Sequence, residues 1–192
     1  MKALFTTCAL IAVPLAAFAQ PGAQPKAPTP PAGAPIRPPD PPAPPPPPTP
    51  AKELEVAKPY AKNWTCTGAN PAGEKQTARF TWKLDLNKFW YAVRMDVPKS
   101  KMMPAFTGMG WVGIDPVAKN WVFVGMDNGG GWIHLKAAPA AFTAEQAVFE
   151  GDANDPMGKA PAKFTFKVDA KTKGMTFVGE IAGKKIFDYA CK

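Results

Sequence analysis

Catalysis needs nucleophiles, bases or metal ligands, and this chain carries few of them. From residue 51 to the C-terminus there is one histidine, His134, one serine, Ser100, and two arginines, Arg79 and Arg94. Ser100 lies in Val-Pro-Lys-Ser-Lys, which has no nucleophile-elbow pattern, and its one available base is His134, so hydrolase chemistry is short of parts. A single histidine and two cysteines that oxidise together cannot close a zinc site. Haem held by one axial histidine would have to use His134, which shares a strand face with Trp132. A lone histidine on a mixed strand is more often exposed than ligating. The expectation is therefore no catalytic residue, no metal and no cofactor.

Abundant apolar side chains leave binding as the chemistry within reach. Residues 51–192 hold all 6 tryptophans, all 3 tyrosines and 10 of the 12 phenylalanines. Such a load belongs to a folded core or an apolar site. The same residues carry 20 Lys and Arg against 14 Asp and Glu. The positive groups are mostly lysines scattered in turns, without arginine forks for phosphate or basic-aromatic clusters, so no nucleic-acid partner is expected. Solubility or weak attraction to anionic surfaces accounts for the excess.

The elements that must position these side chains are short strands. Gly, Asx and Pro punctuate the chain every 8 to 12 residues, and the segments between are rich in β-branched and aromatic residues. Strands are expected near 62–68, 76–86, 89–97, 108–115, 120–127, 131–136, 146–151, 162–169, 174–181 and 184–191, with a helical turn only in Ala138 to Gln146. Asn87-Lys88 as a two-residue loop pairs Leu84 with Tyr91, Trp82 with Val93 and Phe80 with Met95 on an apolar face, and Arg79 with Asp96 on a charged one. Asp115-Pro116 starts a second turn, placing Trp111 near Val124, and Val112 and Ile114 near Phe123 and Trp121. That pair is apolar on both faces, so its back is either covered or offered to a partner. Towards the C-terminus, Phe166 faces Phe177 and Ile181 faces Lys184, a register that also turns Asp188 inward. A buried carboxylate must be paired or protonated, which makes Asp188 the odd acid of the set. The candidate lumen residues are Trp82, Trp111, Trp121, Phe123, Phe166, Phe177 and Asp188.

The N-terminal quarter reads differently. Lys2, an apolar run from Ala3 to Ala16 and Ala17-Phe18-Ala19 make a signal peptide over 1–19, cleaved before Gln20. The run is too short for a membrane span, so no stable membrane insertion is expected after cleavage. Cys8 leaves with it. Of the chain's 25 prolines, 16 fall between Pro21 and Pro50, so residues 20–52 are expected as a disordered spacer. At about 3.1 Å per residue in polyproline II it could span roughly 90 Å. The barrel domain is expected over 53–192, in a secreted or periplasmic protein. There Cys66 and Cys191 oxidise, and closing a β-meander brings their strands together.

The stretch Gly108 to Trp132, with Asn63 to Gly68 ahead of it, resembles the uncharacterised bacterial calycin-like barrels grouped as a domain of unknown function. Their opening W-x-C/G-x-G strand matches Trp64 and Gly68. Their G-x-x-G-x-D-P-x-x-K-x-W/Y-V hairpin matches Gly110, Gly113, Asp115, Pro116, Lys119 and Trp121, followed by Asp127 and Gly129 to Gly131. The resemblance covers most of residues 60–190 and implies a lipocalin-like barrel with no established catalytic residue. The expected architecture is all-β: an antiparallel meander of roughly ten strands, closed into a calycin-like barrel behind a disordered Pro-rich segment. Two functions follow: a non-catalytic exported barrel holding a small apolar ligand, or an interaction module on a stalk that uses the surface of the Trp111 to Phe123 hairpin.

Overall fold

The computed structural model describes residues 42–70 and 73–192. The expected signal peptide, 1–19, and residues 20–41 of the expected spacer lie outside the described residues. Ten strands follow one another as β1 (Asn63–Ala69), β2 (Lys75–Asp85), β3 (Trp90–Val97), β4 (Phe106–Ile114), β5 (Trp121–Asp127), β6 (Trp132–Ala137), β7 (Gln146–Asp155), β8 (Gly158–Val168), β9 (Met175–Ile181) and β10 (Lys184–Cys191). Each pairs antiparallel with its neighbours in sequence, and β1 pairs with β10, so the meander is a closed barrel. Closure removes both sheet edges and the unpaired backbone groups they would expose.

The seam is built as expected. Cys66 stands opposite Cys191, the two form a disulfide, and their Cα atoms are 3.9 Å apart. Thr65 and Lys192 exchange N–H···O bonds of 3.0 and 2.9 Å next to it, so the cysteines occupy the close, non-hydrogen-bonded position of the ladder.

Register agrees with the hydrophobic pattern along β2 and β3, where Phe80, Trp82 and Leu84 oppose Met95, Val93 and Tyr91. The turn differs. Asp85 and Trp90 close the ladder, and Leu86, Asn87 and Lys88 all take positive φ (45°, 55° and 70°), giving a four-residue connection rather than two. Arg79 does stand opposite Asp96, yet the carboxylate is taken by Arg94 two residues away, through a bidentate pair at 2.7 Å for both contacts. Two residues apart on one face, Arg94 presents its guanidinium plane squarely to the acid.

Strands β7 and β8 run further than expected. Asp155 Oδ1 accepts the N–H groups of Met157 and Gly158 at 2.8 and 3.0 Å, and Gly158 takes φ 136°. This tight turn lets the ladder continue through Asp152 and Pro161, a stretch whose Asn, Asp and Pro content reads locally as loop.

The helical element of the domain precedes the barrel. Lys52–Tyr60 is a 310 helix burying Leu54, Ala57 and Tyr60. Their spacing of three matches the three-residue turn and puts them on one face. That face enters the barrel end where β1 starts and β10 finishes. Tyr60 donates to Thr143 O at 2.9 Å, Tyr91 donates to Leu54 O at 3.3 Å, and Trp64 Nε1 donates to Tyr60 O at 2.9 Å. The turn expected within 138–146 is a 310 turn at Pro139–Ala141.

Candidate binding cavity

The two barrel ends are filled differently because different side chains point inward at each. At the helix end, Trp121 stacks on Phe142 (centroids 3.8 Å, 10° between planes), and Tyr60 lies 5.5 Å from both Phe142 and Trp82. Burial raises the Tyr60 phenol above its usual range, with the nearby Glu145 carboxylate adding to the effect.

At the other end the inward positions of β4 and β5 include Gly108, Gly110 and Gly125, adjacent in the ladder. Three missing side chains on one wall leave an apolar cavity of about 140 Å³. Gly110 is required by its surroundings, since a Cβ there would lie 2.2 Å from Val124 O. Strand β9 lies five places from β4 around the ten-membered ring, so it faces the glycine wall. On that side Phe166, Phe177 and Phe187 form a near-parallel series, with centroids 4.7 and 5.6 Å apart. Phe164 and Phe80 meet Phe177 edge-on at 5.5 and 4.9 Å. Phe106, Ile181, Ile186 and Phe187 are half-buried at the mouth, giving the cavity an apolar rim.

Asp127 is the one ionisable residue among the described residues lining this cavity. Its Oδ1 accepts the N–H groups of Gly129 and Gly131 at 2.7 and 3.0 Å, which fixes the β5–β6 turn.

The sequence-derived candidates divide between these settings. Phe123, Phe166 and Phe177 line the cavity. Trp82 and Trp121 point inward and are 2% exposed, but they pack at the helix end as core. Trp82 Nε1 is buried there without an acceptor among the described residues. Trp111 points outward, half-buried, its Nε1 3.4 Å from Asp85 Oδ2, and is no lumen residue. Asp188 is also outside. A bulge between Lys185 and Phe187 shifts the register so that Asp188 opposes Val178 and Tyr189 opposes Phe177. One extra residue reverses every later side chain in a period of two. Asp188 therefore pairs with Lys185 at 2.8 Å in solvent, while Tyr189 points inward and donates to Gln76 Oε1 at 3.1 Å. The bulge has no Gly or Pro to announce it. Phe187 and the glycine wall are the cavity residues that alternation alone does not single out.

His134 is exposed on the outer face of β6, opposite Asp152 and Val124, away from the lumen. The outer face of the β4–β6 sheet carries Met109, Met126 and Trp132 in direct register, exposed by 43%, 58% and 52%.

No protein-family model matches the chain, and no curated protein matches it. Among solved structures it is similar to a redesigned β-barrel, at 13% identity over 71% of this chain and 93% of that one, with a TM-score of 0.40.

Proposed function

We propose that this chain is an exported, non-catalytic carrier of the calycin-like kind, holding a small apolar molecule in the cavity beneath Phe187. The observation that carries the reading is the contrast within one lumen: the helix end is packed solid, while the other end keeps about 140 Å³ of aromatic-walled space. A dry apolar cavity of about 150 Å³ is large enough to admit benzene. Stability is normally gained by filling such a space, so keeping it open fits ligand use. The signal-like N-terminus and the pairing of Cys66 with Cys191 support export. Benzene is the direct probe. It should raise the melting temperature of the wild-type domain and lose that effect in Val93→Phe, whose ring would extend from β3 over Gly110. An unchanged melting temperature at saturating benzene rejects the carrier reading. Native mass spectrometry of protein purified from its own host would identify retained ligand.

A second reading is favoured by the exposed Met109–Met126–Trp132 row: a contact surface on the outer face of the β4–β5 hairpin, presented on the Pro-rich stalk. Trp132→Ala and Met126→Ala are its probes, because both side chains are exposed on the outer face; as both residues also border the cavity, the variants should lose the contact while keeping the wild-type response to benzene. Trp121 is unsuitable, being stacked in the core.

A further inference from the structure

The shape and charge of the cavity narrow its ligand class, an inference that rests on the carrier reading above. One wall is the backbone around Gly110 and Gly125, with the Phe106 ring lying over Gly108 and reaching Phe187 at 5.6 Å; the opposite wall is the series Phe166, Phe177 and Phe187. A space between backbone and aromatic side chains suits a flat ring better than a branched aliphatic body. The existing edge-to-face contacts of Phe80 and Phe164 with Phe177 show a geometry that one more ring can continue. About 140 Å³ holds a single ring with a short substituent.

The substituent meets Asp127. This residue opposes Gly108 in the ladder and so stands at the mouth end of the glycine wall. Its Oδ1 is occupied by Gly129 and Gly131, and its Oδ2 has no hydrogen-bond or ion-pair partner among the described residues. A half-exposed carboxylate oxygen at the mouth attracts a cationic donor and repels an anion, an effect that salt screens and that is therefore read at fixed ionic strength. We propose that the cavity takes a single-ring arylalkylamine, with the ring between the glycine wall and the Phe series and the ammonium group donating to Asp127 Oδ2.

The test is calorimetric binding of benzylamine, benzyl alcohol and benzoate, three probes of similar size and different charge, at neutral pH and fixed ionic strength. Benzylamine should bind at least tenfold more tightly than benzoate, with benzyl alcohol between them. Asp127→Asn keeps an oxygen for the Gly129 and Gly131 N–H groups and removes the charge. In that variant the preference for benzylamine over benzyl alcohol should disappear, with the melting temperature near wild type. If Asp127→Asn loosens the turn, the wild-type series still decides. Benzoate equal to or tighter than benzylamine overturns the proposal, as does an amine preference that survives in a folded Asp127→Asn. Benzyl alcohol binding without amine preference overturns this inference alone. Failure of all three probes and of benzene overturns the carrier reading with it.

Discussion

The two ends of this barrel use the same residue types to opposite effect. At the helix end Leu54, Ala57 and Tyr60 supply apolar surface from outside the sheet, and Trp121, Phe142 and Trp82 close around them. At the far end the aromatic side chains are just as numerous, but Gly108, Gly110 and Gly125 stand on the facing wall, so contact across the lumen is left to Phe106 with Phe187 and Phe123 with Phe164, at centroid distances of 5.6 and 6.1 Å. Aromatic content therefore does not distinguish a core from a site. What distinguishes them is whether the opposite wall has side chains to meet it. A packed interior approaches the density of an organic crystal, and three adjacent missing side chains are enough to prevent that.

The largest expected effect is on the seam that both ends share. The disulfide joins residues 125 apart, and chain entropy assigns a loop of that length about 4 to 5 kcal/mol as an upper figure. Calorimetry with and without reductant should show the melting temperature falling by on the order of 10 to 20 °C, with Cys66→Ala and Cys191→Ala alike. If the drop is absent, ladder hydrogen bonds alone hold β1 to β10.

Truncation separates the ends. Trp121→Ala should cost about 3 to 5 kcal/mol by leaving a void against Phe142. Phe187→Ala, at the half-buried rim, should cost about 1 to 2 kcal/mol. Chemical denaturation of the two variants measures this difference, and equal losses would show that the open end is as tightly packed as the closed one.

Enlargement gives the complementary result. Ala57→Phe, inside the closed end, should cost about 1 to 3 kcal/mol or more, whereas Val93→Phe should stay within about 1 kcal/mol of wild type because the cavity accepts the ring. A large loss in Val93→Phe would argue that the cavity is too narrow for a ring.

The smallest effect is on pH dependence, and it belongs mainly to the closed end. Burial raises the phenols of Tyr60, Tyr91 and Tyr189 above their ordinary value. A raised folded-state value means that the folded protein retains protons the unfolded chain releases. Stability is then intact below the unfolded tyrosine value of about 10 and falls as pH rises beyond it. Melting temperature followed from pH 7 to 11 should decline only in the alkaline limb, with a shallower decline in Tyr60→Phe. At pH 7 that variant should lose about 1 kcal/mol with its bond to Thr143. An identical alkaline slope in Tyr60→Phe would remove this tyrosine from the account.

Most of the strand plan was legible because strand signals are local. Alternation placed Phe80, Trp82, Val93 and Met95 on one face, and the Asp115-Pro116 turn put Val112 opposite Phe123. The helix over Lys52–Tyr60 was not legible, because three buried residues at a spacing of three, with Pro59 inside the last turn, are too weak a signal before the surface they dock on exists. Asp188 was misplaced for a related reason. Its register was counted from the Ala182-Gly183 turn, and the bulge at Ile186 that corrects the count lets Phe187 and Tyr189 both face the lumen.

The sequence by itself determined the ten strands, their order and, apart from the bulged β10, most of the faces they present, since each follows from a period of two and from turn residues within a few positions. It also determined the pair of cysteines that a closed meander must bring together. Only the tertiary structure decided which end of the lumen is full. Nothing marks Gly108, Gly110 and Gly125 as one wall among the 16 glycines of the chain until ring closure sets them across from Phe166 and Phe177. The cavity is a property of two walls more than 40 residues apart in sequence, and a local pattern carries no information about the distance between them.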